Sequence, residues 1–225
     1  MAEKLVAVVP VRGGSQRVKD KNVRPFADTT LLGLKLSVLA ETRGIDRIVV
    51  NTDCDRCEAI ARRNGMDVHR RDPEFASSSV TNDQHWRHLA EVTDTDILMM
   101  AQVTSPLIRK STYEKAIADY RAGRGEFDSL NSVSEERKFL WQDGRALNYD
   151  ADRTPKSQDL PEIVSLNFAI TLIDRRTMIE RANVIGSNPK FMTLDKIESI
   201  DIDDPLDFKF AEFVYQEKGK NWLTG

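Results

Sequence analysis

The sequence predicts an α/β protein with a Rossmann-like, mostly parallel sheet flanked by helices. The first observation is a continuous apolar run at residues 5–10, as in a strand that is buried on both faces. The second is a regular alternation, up to residue 122, between such runs and segments with helical spacing. Strand–helix alternation implies parallel strands joined by right-handed crossovers.

Each element of the first half has its own signal. Gly44 and Gly65 are plausible stops for the first two helices, and Thr81 or Asn82 is a plausible cap for the third. A chain of 225 residues is within the size range of one domain, and we expect residues 1–225 to form a single domain. The predicted strands are 5–10, 47–52, 67–70 and 96–102, and the predicted helices are 31–42, 56–64, 82–91 and 110–122.

The pattern changes near residue 134. A hairpin turning at Asp143-Gly144 is predicted within a polar segment, and residues 134–164 are interpreted as an inserted arm suited to dimer contacts. Strand 165–173, helix 175–182 and strands near 191–194 and 198–203 follow. The final helix is predicted to begin at Pro205, with Leu206, Phe210 and Val214 on one face.

Composition limits the classes of function. The net charge of −3 argues against a general nucleic-acid binder, which needs a basic face. The first apolar run is too short for a signal peptide or a membrane span, so we expect a cytoplasmic protein. Cys54 and Cys57 form a lone CxxC without a second ligand pair and are expected to be free thiols. His85 and His88 are expected at the surface.

A basic loop follows the first strand. Gly13, Gly14 and Ser15 would let backbone N–H groups approach an anion, and the surrounding cations would neutralise it. The loop matches neither the Walker nor the Rossmann pattern, and its alternative interpretation is a solvated loop. We favour a site for a triphosphate. The basic residues of the loop are Arg12, Arg17, Lys19, Lys21 and Arg24.

Asp201 and Asp203 are a candidate magnesium pair. Strand-like alternation in 199-SIDID-203 would place both carboxylates on one face, with the isoleucines toward the core. Mg²⁺ prefers one or two carboxylates together with water and phosphate oxygens. Helix capping at Pro205 is the alternative; it explains Asp204 and Asp207, and could extend to Asp203, but it does not explain Asp201. Together with the basic loop, the pair indicates nucleotidyl or phosphoryl transfer.

Polar segments follow several of the predicted strands. The basic loop, residues 51–53 and residues 102–106 all come after strand carboxyl ends, where open α/β sheets bind ligands. For 102-QVTSP-106, the alternative to a role in the site is a tight turn with a purely structural role.

These motifs resemble the CMP–N-acylneuraminate synthetases, a cytidylyltransferase family that activates acidic sugars. The family's A-R-x-x-S-[KR]-x-[LIV]-x-x-K-N is similar to 11-VRGGSQRVKDKN-22, and its closing S-I-D-I-D matches 199-SIDID-203. Its S-T-D, its R-P-x-x-L-A-x-x-x-[AS]-S and its Q-P-T-S-P-L-R resemble 51-NTD-53, 71-RDPEFASSSVTND-83 and 102-QVTSPLI-108. The motifs occur in the family's order along nearly the whole chain.

The resemblance implies a homodimer that exchanges the arm and transfers CMP from CTP to an acidic acceptor, with Mg²⁺ as cofactor. Arg12, Lys21 and Asp201 would be catalytic, and Asp201 and Asp203 would hold the metal. The implied nucleotide-binding residues are Arg12, Gly13, Gly14, Ser15, Gln16, Arg17, Lys21, Asn22, Arg71, Ser77, Ser78 and Ser79. Asn22 would contact the ribose, and Arg71 with Ser77–Ser79 would select cytosine. Gln102, Thr104 and Ser105 would face the acceptor.

The departures from the family pattern lie mostly near the acceptor. Gln16 replaces a frequent cation, Val103 a proline and Ile108 an arginine, and 164-VSLNFA-169 replaces a segment with an arginine and R-P-N-G. Lys138, Arg153 and Lys156 in the arm are candidates for binding the acceptor's anionic group. The acceptor could be a nonulosonic-type sugar acid or a smaller compound such as a phosphonate. Nucleotidyl transfer to a sugar phosphate and a catalytically silent nucleotide-binding protein are the competing interpretations.

Overall fold

The computed structural model describes residues 3–15, 17–77 and 79–225, which form an α/β fold. Its helices are α1 (Leu31–Glu41), α2 (Asp55–Arg63), α3 (Pro73–Ala76), α4 (Asn82–Val92), α5 (Lys110–Ala122), α6 (Arg175–Arg181), α7 (Pro205–Lys218) and α8 (Lys220–Thr224). Its strands are β1 (Leu5–Val11), β2 (Pro25–Phe26), β3 (Thr29–Thr30), β4 (Arg47–Thr52), β5 (Asp67–Arg70), β6 (Ile97–Ala101), β7 (Ser129–Glu136), β8 (Trp141–Gln142), β9 (Arg145–Ala146), β10 (Ile163–Asp174) and β11 (Pro189–Thr193).

The central sheet has two halves. Its strand order is β11-β7-β10-β6-β1-β4-β5. The strands β6, β1, β4 and β5 pair in parallel, as the strand–helix alternation predicts. The long strand β10 is antiparallel to both β6 and β7, and β11 is parallel to β7. The mostly parallel sheet predicted from the sequence is therefore confirmed.

Helices cover both faces of the sheet, which explains the unbroken apolar run of β1. Leu5, Ala7 and Val9 belong to the larger core cluster, which contains residues of α1, α5 and α7. Val6 and Val8 point to the other face and belong to a cluster with residues of α4 and α6. A strand between two helical layers needs apolar side chains at every position.

Helix caps agree with the sequence signals. The Thr81 side chain accepts a hydrogen bond from the Gln84 backbone N–H at the start of α4. Asp204 caps α7 in the same way, with Pro205 at the first turn and Asp207 completing a capping box. The capping interpretation of Asp204 and Asp207 is thus confirmed.

Two expectations near the carboxyl end are wrong. Residues 198–203 form no strand: a turn leads into an extended segment, whose Ile202 N–H donates to the Thr104 carbonyl oxygen in the loop after β6 at 2.9 Å. Leu206 and Phe210 do not pack as a core face, being 73% and 52% exposed. Helix α7 instead buries Phe208, Ala211 and Tyr215, because Phe208 and Tyr215 pack on the buried ring of Phe26, with ring centres 5.4 Å and 5.6 Å from it.

The arm extends from the antiparallel half of the sheet. Strands β8 and β9 form the predicted hairpin, with Asp143 and Gly144 at left-handed φ angles of 49° and 75°. The rest of the arm contains short 3-10 turns at Ala151–Arg153 and Ser157–Asp159. The role of residues 134–164 in dimerisation stays a prediction. Within the described ranges, no helix is long and apolar enough to cross a membrane.

Candidate active site

Two adjoining chambers open at the carboxyl ends of β1 and β6. The first has a volume of about 250 Å³ and the second a volume of about 430 Å³. Pro10, Arg12 and Gln102 line both, so the chambers are neighbours. The first chamber is also lined by Ser15, Arg17, Lys21, Asn22 and Thr104. The predicted convergence of the basic loop with residues after β6 is therefore present.

The backbone of the basic loop is held by side chains from neighbouring segments. The Gly13 N–H donates to Asp53 Oδ1 at 2.9 Å, and Gly14 has a left-handed φ of 67°, which suits glycine. Asn22 is buried, and its side-chain amide donates to the Arg12 carbonyl oxygen at 3.1 Å. These bonds shape the loop around the first chamber, whose walls include Arg12, Ser15 and Asn22.

Lys21 joins the basic loop to the aspartate segment. Its Nζ donates to the Ile202 carbonyl oxygen at 2.6 Å, between Asp201 and Asp203 in the chain. Burial lowers the pKa of Lys21, and the charges of Asp201 and Asp203 offset part of that effect. The two motifs that are farthest apart in the sequence therefore meet beside the first chamber, which Lys21 and Arg17 line and the two aspartates do not.

The aspartate pair has the donor groups that a divalent cation needs. Asp201 Oδ1 is buried and has no hydrogen-bond partner among the described residues. Burial raises the pKa of Asp201, and the neighbouring Asp203 charge adds to this effect, whereas a hydrogen bond from the Thr104 hydroxyl opposes it. Asp203 is half-exposed and forms an ion pair with Arg17 at 2.9 Å. An unpaired buried carboxylate oxygen beside a second carboxylate fits Mg²⁺, which prefers oxygen ligands.

Arg71 lies in the wall of the second chamber and is fixed by Asn51. It is buried, and its guanidinium donates to Asn51 Oδ1 at 2.6 Å and to the Asn51 carbonyl oxygen at 3.1 Å. Burial lowers the pKa of Arg71, an effect that the Asp53 carboxylate partly offsets. Ser77 lines the same chamber and bonds Ser79 through their hydroxyl groups at 2.7 Å.

The expectation that His85 and His88 lie at the surface is wrong. The His88 ring is buried and stacks on Phe75, with ring centres 3.8 Å apart. His85 lines the second chamber, and its Nδ1 is buried without a partner in the described ranges. Burial, with the nearby Arg71 charge, lowers the pKa of His85 to about 4. The reason is that the i, i+3 spacing places both rings on the inner face of α4.

The segment after β6 is supported by a buried amine. Gln102 lines both chambers and Thr104 the first, whereas Ser105 is buried and lines neither. The Ser105 carbonyl oxygen accepts from Lys35 Nζ at 2.7 Å, and Lys35 also bonds the Tyr113 hydroxyl at 2.6 Å. Burial lowers the pKa of Lys35 to about 7, although the Glu198 charge opposes this.

The contact of Lys35 with the segment after β6 was not predicted from the sequence. Lys35 lies in the middle of an apolar helix, and a single lysine there carries no signal of burial. Glu198 is buried as well, and its carboxylate accepts from the Arg109 backbone N–H at 2.8 Å and from the Thr112 hydroxyl at 2.6 Å. Lys35 therefore holds the segment after β6, and Glu198 holds the start of α5.

A bulge in β10 places an aromatic ring at the second chamber. The pairing of β10 with β7 shifts register between Leu166 and Thr171. Within the bulge, Phe168 has a φ of 54°, a left-handed conformation that costs a residue with a side chain about 1–3 kcal/mol. Its ring lies 6.2 Å from that of Trp86, and both residues line the chamber. The sequence shows only the departure 164-VSLNFA-169 and not the bulge.

Several predicted site residues lie elsewhere. Lys138 is exposed and forms an ion pair with Glu136 at 3.0 Å. Arg153 and Lys156 are exposed in the arm, and neither lines the two chambers. Gln16 and Ser78 lie outside the described residues.

The two cysteines are free thiols, as expected, with Cys54 at the N-cap of α2 and Cys57 in its first turn. Burial raises the pKa of Cys57 to about 12. No cluster of three or more His, Cys, Asp or Glu side chains suited to a metal is present among the described residues. A metal site here would therefore consist of the aspartate pair with other ligands.

The family model described as "Cytidylyltransferase" matches residues 6–215. The chain belongs to this cytidylyltransferase family. The N-acylneuraminate cytidylyltransferase of Oncorhynchus mykiss is 28% identical over 92% of this chain and 49% of its own length. The post-translational flagellin modification protein B of Campylobacter coli is 23% identical over 95% of this chain and 96% of its own length. The resemblance seen in the motifs is confirmed at the level of the family.

The fold is also that of solved cytidylyltransferase structures. A CMP:2-keto-3-deoxy-manno-octonic acid synthetase complexed with CTP matches with a TM-score of 0.71 at 14% identity, over 96% of this chain and 100% of that chain. At this identity the similarity shows the fold alone. The chain spans about half the length of the curated N-acylneuraminate cytidylyltransferases that it matches.

Proposed function

We propose that this protein transfers CMP from CTP to an oxygen of an acidic acceptor and releases pyrophosphate. The observation that carries the proposal is the meeting of two motifs at the first chamber. Arg12, Arg17 and Lys21 line it, and both Lys21 and Arg17 contact the segment of the aspartate pair. Cations beside unpaired carboxylate oxygen are the combination that a metal-bound triphosphate requires.

The triphosphate is proposed to lie in the first chamber. Arg12, Arg17 and Lys21 would neutralise its oxygens, and the backbone N–H groups of Gly14 and Ser15 would donate to it. The nucleoside would extend into the second chamber, because Arg12 and Gln102 line both. Arg71 and Ser77 would contact the base there.

The reaction needs positioning more than covalent help from the protein. The acceptor oxygen attacks the α-phosphorus, the bond from that phosphorus to the bridging oxygen of the β-phosphate breaks, and pyrophosphate leaves. Lys21 and Arg12 would stabilise the charge that develops on the phosphate oxygens. Fixing the two reactants in line removes much of the entropic barrier.

Asp201 and Asp203 would hold Mg²⁺ in this proposal. The metal would supply charge neutralisation at the phosphate oxygens. The unpartnered Asp201 Oδ1 is the feature of this chain that supports the assignment. With Mg²⁺ absent, the pair would repel a triphosphate, so binding of CTP and of the metal should reinforce each other.

The acceptor is proposed to be acidic because matched relatives are named for N-acylneuraminate. Nonulosonic-type sugar acids are therefore the first class to test, followed by smaller acids such as phosphonates. A homodimer joined through residues 134–164 and a cytoplasmic location remain part of the proposal. Exposed Phe139, Trp141 and Leu147 in the arm support the dimer contact.

The experiment is pyrophosphate release with CTP and Mg²⁺ over a panel of acceptors. The panel holds N-acetylneuraminate, 3-deoxy-octulosonate and hydroxyalkyl phosphonates, and UTP and ATP serve as nucleotide controls. The expected result is release with CTP that depends on one class of acid. Release with UTP or ATP in place of CTP would contradict the cytosine assignment, and failure of CTP to bind would contradict the proposal as a whole.

A further inference from the structure

We propose that Phe168 and Trp86 determine acceptor size, and that the part of the second chamber beside these two rings takes a compact acid in preference to a nine-carbon sugar acid, while the nucleoside occupies the part beside Arg71. This inference rests on the proposed CMP transfer and names the acceptor class of the same site. It is carried by the backbone of β10, the position of the two rings and the charges of the chamber.

The ring of Phe168 is placed by a strained and well-supported backbone. Asn167 Oδ1 accepts from the Ser132 hydroxyl at 2.6 Å, and Asn167 Nδ2 donates to Ser134 Oγ at 3.0 Å. The backbone N–H groups after Phe168 donate into the same network, from Ala169 to Asn167 Oδ1 at 3.2 Å and from Ile170 to Ser132 Oγ at 2.9 Å. A left-handed phenylalanine persists where surrounding bonds fix it, and such residues cluster at ligand sites.

This network sets Phe168 beside Gln102. Strand β10 pairs with β6 so that Ile170 faces Ala101, the residue before Gln102. Phe168 therefore bounds the chamber next to the side chain that both chambers share. Trp86 reaches it from α4, and the rings are inclined at 31° with centres 6.2 Å apart. The two rings form a wall that an acceptor near Gln102 would touch.

The charged side chains that line the chamber are engaged elsewhere than at this wall. The charged lining residues in the described part of the chain are Arg12 and Arg71. Arg12 is shared with the first chamber, and Arg71 is engaged with Asn51. His85, in the same helix as Trp86, is neutral near pH 7 because burial lowers its pKa to about 4.

The chamber also has hydrogen-bonding side chains, including Ser77, Asn82 and Gln102, but the face of an acceptor that lies on this wall meets aromatic carbon. A long polyhydroxylated chain pressed against it would lose water without gaining hydrogen bonds, which is unfavourable. A short acid with a CH-rich face would pack on the rings and extend its anionic oxygen toward Arg12.

The test compares acceptor preference in the wild type and in Phe168→Gly. Glycine suits the left-handed backbone, so this variant should fold with a thermal midpoint no lower than that of the wild type. The measured quantity is kcat/KM for 2-hydroxyethylphosphonate divided by kcat/KM for N-acetylneuraminate. We expect the wild type to favour the phosphonate and Phe168→Gly to lower the ratio at least tenfold. The KM for CTP should change less than twofold.

Phe191→Ala is the matched control, because Phe191 is 47% exposed on the edge strand β11 and lines neither chamber. Its ratio should equal that of the wild type. Calorimetric binding of both acids, with a non-cleavable α,β-methylene analogue of CTP present, provides a readout without turnover. The wild type should bind the phosphonate, and Phe168→Gly should gain binding of N-acetylneuraminate.

Two results would overturn this inference while leaving CMP transfer intact. One is a ratio that Phe168→Gly leaves within twofold of the wild type, and the other is a wild type that favours N-acetylneuraminate. Binding of the CTP analogue without binding of either acid would also overturn it. Failure of the analogue to bind the wild type would overturn the proposed function and this inference together.

Discussion

The parallel and antiparallel halves of the sheet contribute to the site in different ways. The parallel strands β1, β4 and β6 end in short polar motifs that match the family pattern and supply cations and amide groups. The antiparallel strand β10 supplies Phe168 through a bulge and departs from the family pattern. The comparison teaches that the proposed nucleotide half of the site follows the family pattern, whereas the proposed acceptor half departs from it at 164-VSLNFA-169.

The strongest way to break this comparison is to remove one carboxylate of the proposed metal pair. Asp201→Asn should lower kcat for CTP-dependent pyrophosphate release about 10²- to 10³-fold, because charge neutralisation at the triphosphate is lost. The thermal midpoint should stay equal or rise, since Asp201 Oδ1 is buried without a partner among the described residues. Asp143→Asn at the exposed hairpin turn is the control. Retained turnover in Asp201→Asn would contradict the proposal that Asp201 holds Mg²⁺ for the reaction.

Lys21 tests whether the basic loop and the aspartate segment act together. Lys21→Gln should lower kcat/KM for CTP by about tenfold to a hundredfold, the usual worth of one charged hydrogen bond. Lys19→Gln, in the same loop but outside both chambers, is the matched control and should change kcat/KM little. Steady-state kinetics at saturating Mg²⁺ gives both values. Equal effects of the two substitutions would show that net charge alone matters.

Lys35 tests the support beneath residues 102–106 through pH dependence. The pKa of Lys35 is about 7 in the folded protein, whereas its ordinary value is 10.5. Between about pH 7 and pH 10.5 the amine is therefore protonated in the unfolded chain and neutral in the folded protein. Wild-type stability should therefore rise with pH across this range relative to Lys35→Met, by up to about 1.4 kcal/mol per pH unit. Below pH 7 the difference between the two proteins should be constant.

Chemical denaturation from pH 6 to pH 10 measures the Lys35 effect. Lys115→Met, an exposed lysine on α5, is the control and should show no such pH-dependent difference. Parallel stability curves for the wild type and Lys35→Met would mean that the amine keeps its ordinary pKa.

Arg17 should give the smallest effect. Its ion pair with Asp203 is exposed, with 69% and 57% of the two side chains accessible, so its contribution to folding should be below about 1 kcal/mol. Arg17→Met should leave the thermal midpoint unchanged and raise the KM for CTP about threefold. This difference in KM between the variant and the wild type should become smaller as salt is added. A large loss of turnover would give Arg17 a role equal to that of Lys21.

The order of strands and helices could be predicted because each signal is local. The apolar run of β1 and the Asp204–Pro205 cap of α7 depend on neighbours in the chain. The candidate site was also predictable as far as its motifs follow strand ends. Lys35, Glu198 and His88 were not predicted, since burial of a polar side chain depends on partners more than ten residues away.

The remaining differences also come from long-range packing. The predicted strand at 198–203 is an extended segment because its hydrogen bonds go to Thr104 and Lys21 rather than to a ladder. The bulge at Phe168 arises from Asn167 and the serines of β7, whose pairing the sequence of β10 alone does not reveal.

A crystal structure with CTP and Mg²⁺ tests the division into two chambers most directly. The account predicts the triphosphate in the first chamber against Arg12 and Lys21, the metal between Asp201 and Asp203, and cytosine in the second chamber beside Arg71. It also predicts free space between the α-phosphorus and the wall of Phe168 and Trp86. A base in the first chamber, or a triphosphate away from the basic loop, would contradict it.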